Sequence, residues 1–88
     1  MKIKSGFVLR DVAGKTFVVA TGELSKSFKG MITLNETGKF IWNLLENDIA
    51  SSEIVDKVMA EYDVSDRAMV EADVDRFITK LSNDNVLE

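Results

Sequence analysis

Residues 29–45 read KGMITLNETGKFIWNLL, and the fold turns on how this stretch divides. Gly30 to Leu34 (GMITL) is short and β-rich. Ile32 and Leu34 alternate with Met31 and Thr33, which is the period of a strand with one buried face. Asn35 then offers a side-chain oxygen to the free amides of a helix start, and Glu36 puts a negative charge in the first turn. Phe40, Ile41, Leu44 and Leu45 follow at i, i+1, i+4 and i+5, one stripe of a helix. Trp42 falls on the border of that stripe and is expected to pack at its rim rather than serve as a ligand platform. Gly38 costs about 1 kcal/mol against Ala inside a helix, which a close backbone approach would explain.

Toward the amino terminus, Phe7 to Val12 (FVLRDV) and Lys15 to Ala20 (KTFVVA) read as strands. Ala13-Gly14 between them is a turn signal, so the two form a hairpin. Residues 1–6 read as a frayed lead-in. Thr21 to Lys29 reads as a loop, with Phe28 anchoring its end. The result is an antiparallel meander whose third strand, Gly30 to Leu34, lies at an edge. Edges are normally blunted by charge or Pro, and this one has neither. Either a loop covers it, or it is open to a peptide or to an edge-to-edge dimer.

Toward the carboxyl terminus, Asn47-Asp48 ends the first helix. Ser51 or Ser52 caps a second, whose stripe is Ile54, Val55, Val58, Met59 and Tyr62. Asp63 breaks it, and Ser65 caps a third helix running to about Ser82. At 100° per residue, Val70, Val74, Phe77, Ile78 and Leu81 form its core face. Met69 lies off that face, on a flank with Asp73, Arg76 and Lys80. Asn83 to Asn85 stops the helix, with Asn85 suited to the left-handed conformation, and Val86 and Leu87 fold back on the core. The order is β-β-β-α-α-α, an α+β fold of winged helix-turn-helix type. It is expected to occupy residues 1–88 as one domain.

Composition removes most chemistry. The 88 residues contain no Cys and no His. Disulfides, thiolate metal sites and the commonest general base and metal ligand are therefore unavailable. The carboxylates are scattered, and Asp73 and Asp75 lie about 200° apart on a helix and do not converge. No enzyme and no cofactor is expected. No apolar run approaches the roughly 20 residues of a membrane span, and Lys2 and Lys4 precede no long apolar core, so a cytoplasmic location is expected. The net charge of −4 is divided unevenly, with residues 1–34 at +4 and the rest at −8. DNA binding, the usual work of a winged helix, is the alternative function. It would need a basic third helix, yet residues 65–82 carry Asp66, Glu71, Asp73 and Asp75 against Arg67, Arg76 and Lys80. No nucleic-acid partner is expected.

Several motifs taken together resemble a known family. They are LNETGKFIW (Leu34 to Trp42), YDV (Tyr62 to Val64), DVDRF (Asp73 to Phe77) and a closing L-x-x-x-x-V-L (Leu81 to Leu87). Along about Phe7 to Leu87 the chain is similar to the PqqD-like family, the peptide-recognition domains of ribosomally made, post-translationally modified peptide pathways. The stretch between the second and third strands is longer than the family pattern, and its closing Gly-Leu is here Asn85-Val86. The resemblance implies a standalone recognition element that binds the leader of a precursor peptide and presents it to a tailoring enzyme, such as a radical SAM protein or a lasso-type peptidase. It implies that the leader adds as a strand to Gly30, Met31, Ile32, Thr33 and Leu34 and packs on the third helix. The expected contacts there are Met69, Val70, Asp73, Arg76, Phe77 and Lys80. An unprotected edge is a template for such strand addition, and Met69 would give the leader an adaptable apolar contact.

Overall fold

Ala13 and Gly14 both take positive φ, 52° and 80°, and join β1 (Phe7–Val12) to β2 (Lys15–Ala20). This two-residue turn matches the twist of the strands it connects. The computed structural model describes residues 1–27 and 31–88. Beyond β2 come α1 (Leu24–Ser27), β3 (Ile32–Leu34), α2 (Glu36–Leu44), α3 (Ser51–Tyr62) and α4 (Arg67–Asn83). The sheet is antiparallel in the order β1-β2-β3, so β3 is an edge as expected.

Three antiparallel strands followed by three long helices bear out the α+β, βββααα fold. One turn of helix, α1, interrupts the expected loop between β2 and β3. Gly30 and the Phe28 anchor lie outside the described residues.

The strands turn Val18, Ile32 and Leu34 inward, and the helices close over them with Ile41, Trp42, Leu45, Ile54, Val55, Val58, Val70, Val74 and Leu81. Trp42 corrects its expected place at a rim. It is 2% exposed and stands edge-on to Phe7, ring centroids 6.4 Å apart, because β1 and the lead-in cover the flank that a lone helix would leave open. The lead-in is not frayed either. Ile3 is buried and pairs with Leu87, and its N–H donates to the Leu45 carbonyl at 2.9 Å. Asn85, at φ 63°, turns the chain back so that Val86 is fully buried.

Two caps differ from expectation. Ala50 precedes α3 with no side-chain cap bond, because Ser51 is already the first helical residue. Asp66, not Ser65, caps α4. Its Oδ1 accepts the Met69 N–H at 3.2 Å, and its charge also suits the helix dipole. Asn35 caps α2 as expected, accepting the Gly38 N–H at 2.7 Å. That helix ends at Leu44, before the expected Asn47-Asp48 stop. Asp63 ends α3 in the left-handed conformation, φ 51°.

Candidate functional site

The hairpin sets which backbone groups of β3 are free. In a two-residue turn the flanking pair, Val12 and Lys15, is hydrogen-bonded, and bonded pairs then alternate along the ladder. Arg10↔Phe17 and Val8↔Val19 are bonded in the same phase. The Thr21 N–H donating to the Gly6 carbonyl at 2.7 Å continues it. Lys15, Phe17 and Val19 therefore aim their backbone groups at β1, and Thr16 and Val18 aim theirs at β3. Across that second ladder Thr16 pairs with Leu34, Val18 with Ile32 and Phe17 with Thr33. Ile32 and Leu34 are the bonded positions. Thr33 points its N–H and C=O away from the sheet, and no other described residue bonds to them. Its side chain is exposed, and Met31 just before it is 65% exposed.

A furrow runs beside this edge. Leu34 of β3 and Phe77 of α4 converge on Gly38, each with an atom 3.5 Å from where a β-carbon would stand. One hollow, of about 340 Å³, is lined by Asn35, Thr37, Gly38, Ile41, Asp73 and Phe77. A second, of about 210 Å³, adds Val58, Tyr62, Val64, Met69, Val70 and Val74. The two share Thr37, Ile41 and Asp73, so they form one furrow along α4. Tyr62 is held as a wall by the Phe40 ring, centroids 5.7 Å apart, and its hydroxyl donates to the Glu36 carbonyl at 3.4 Å. Among the described residues no cluster could hold a metal ion. A furrow that is mainly apolar toward Val58 and Val74 and half polar beside Gly38, where Asn35, Thr37 and Asp73 line it, next to unpaired backbone groups, suits an extended peptide.

The expected contact residues separate within this geometry. Ile32 and Leu34 turn their side chains into the core, leaving only the Thr33 and Met31 positions of the edge outward. Met69 is 51% exposed and lines the furrow, Val70 is 4% exposed and forms its floor, and Phe77 walls the other end. Asp73 lies in both hollows and is ion-paired with Arg76. Lys80 lines neither hollow and pairs with Asp84 at 3.3 Å. Thr37, Tyr62 and Val64 line the furrow without having been singled out for it. Thr37 and Ile41 stand one helical turn apart, a spacing that marks a shared helix side but not which neighbour it faces.

The model of the family described as coenzyme PQQ synthesis protein D (PqqD) matches residues 7–87. No curated relative matches the chain. The solved structure of TbiB1 in complex with the TbiA(beta) leader peptide is similar over 100% of this chain and 95% of its own, with 34% identity and a TM-score of 0.77.

Proposed function

We propose that this chain, which belongs to the PqqD family, binds the leader segment of a ribosomally synthesised precursor peptide and presents it to a tailoring enzyme. The leader adds as a strand to β3 and lays alternate side chains into the furrow along α4. The outward Thr33 backbone, beside a furrow whose Val58–Val74 end is mainly apolar, carries this reading. TbiB1, bound to a leader peptide and 34% identical over the whole chain, supports it. In this reading Met31 and Thr33 receive the leader backbone. Met69, Val70 and Phe77 take its apolar side chains, and Asp73 with Arg76 sets register at the rim. The adaptor performs no chemistry, and the tailoring enzyme is a radical SAM protein or a lasso-type peptidase.

The test is fluorescence anisotropy with a labelled leader from the precursor encoded beside this chain. Binding at micromolar or tighter affinity is expected. Thr33→Pro removes the outward donor and leaves the bonds of Ile32 and Leu34 to β2 in place, so it should weaken leader binding more than it weakens folding. No binding by the unaltered chain, or equal binding by the Pro variant, contradicts the proposal.

A further inference from the structure

The outer face of the sheet is not part of the furrow. Thr16 and Val18 turn inward, so Lys15, Phe17 and Val19 turn outward, joined across the ladders by Val8, Arg10, Val12 and Thr33. Val12 is 58% exposed, and Val8 is exposed with it. Phe17 and Val19 between them are only half-buried. The inward face carries Val18, Ile32 and Leu34 against the core of the long helices, and the one-turn α1 also touches β2. Arg10 and Lys15 stand on it without an ion-pair partner among the described residues. Of the other described cations, Lys2, Lys4 and Lys57 also lack an ion-pair partner, and the rest are matched. Lys39 pairs with Asp11, Arg67 with Asp56, Arg76 with Asp73 and Lys80 with Asp84. The sheet thus presents an aliphatic and aromatic centre with two uncompensated positive charges, on a chain whose net charge is −4.

We infer that this face docks a partner protein whose surface is aliphatic at its centre and carboxylate-bearing at its rim, and that this partner is the enzyme receiving the leader. The inference rests on the proposed function and names the surface which that function leaves unassigned. Three observations fix the occupant. The apolar centre asks for a protein surface rather than a polyanion, and the acidic remainder of the chain repels phosphate. The unpaired Arg10 and Lys15 ask for acidic complements, which steer the encounter and set its orientation. The Arg10–Phe17–Thr33 row runs from the middle of this face to the free β3 edge. An enzyme seated on the face would therefore meet a strand-added leader at that edge. A second copy of the chain is disfavoured, because a two-fold contact through this face would bring two Arg10 and two Lys15 together with no carboxylate among the outward residues of the strands.

The test uses the purified modifying enzyme encoded beside the precursor, titrated against the full chain with leader bound. Arg10→Glu combined with Lys15→Glu should weaken the enzyme complex by about tenfold and blunt its salt dependence. Val12→Asp should weaken it further, and leader affinity measured by anisotropy should stay the same in all variants. The inference is overturned if the enzyme binds these variants as tightly as the unaltered chain, or does not bind the unaltered chain. Arg10- and Lys15-dependent binding of duplex DNA or of phosphatidylglycerol vesicles would also overturn it by assigning the face to a polyanion. Loss of leader binding with the enzyme complex intact would instead count against the proposed function alone.

Discussion

Gly38 of α2 lies against the Phe77 ring of α4, so close that a β-carbon on Gly38 would stand 3.5 Å from Phe77 Cε1. The same β-carbon would stand 3.2 Å from Asn35 Oδ1, the atom that caps the helix. Gly38→Ala therefore gains about 1 kcal/mol of helix propensity and crowds a cap worth about the same. The unfolding free energy measured in urea should change by less than about 1 kcal/mol. Gly38→Leu, by contrast, projects into the hollow of about 340 Å³ between Asn35 and Phe77. Leader affinity should then fall by about tenfold or more, the cost of one lost apolar contact.

Ala13 holds a left-handed conformation at φ 52°, which costs a residue with a β-carbon about 1 kcal/mol or more. Ala13→Asn creates the Asn-Gly pair that this turn geometry favours. Thermal unfolding should show a gain of about 0.5–1 kcal/mol. Leader binding should not change, since the turn lies at the far end of the hairpin from Met31. A loss of stability would mean that the turn is not the type its angles describe.

Asp11 supplies a pH dependence. The Thr16 hydroxyl, donating at 2.5 Å, and then the Lys39 ammonium hold its carboxyl below the ordinary value of 3.8. The folded state therefore binds fewer protons than the unfolded one near that pH. The contribution is fully present above 3.8 and is lost as pH falls through the lowered folded value. Thr16→Val removes the larger cause. NMR titration of Asp11 should show its midpoint rising toward 3.8, and the stability gap between the two proteins should narrow in acid.

Element types were legible in the sequence where periodicity was strong. β1, β2, α3 and α4, the Asn35 cap and the free edge all followed from local pattern. Burial from neighbours distant in the chain was not legible. Trp42 sits on the border of its own helix stripe, yet it joins the core, with Phe7, more than thirty residues earlier, edge-on against it. Trp42→Ala should cost about 3–5 kcal/mol and leave little folded protein. Ile3 between two lysines carries the weak alternating signal of a strand, but its partner Leu87 is at the other end of the chain. Within the site, Met69 and Asp73 could be placed by helical angle. Tyr62 and Val64 could not, because the furrow closes only when α3 and α4 come together. The caps misled for a local reason, since Ser51 and Ser65 each stand one residue from the true cap position.

Amide hydrogen exchange at Thr33, with and without leader, tests strand addition most directly. In the free protein the amides of Ile32 and Leu34, bonded to β2, should be protected, and the Thr33 amide should exchange freely. With saturating leader, Thr33 should become protected along with its neighbours. A Thr33 amide that still exchanges freely when the leader is bound would contradict pairing at this edge.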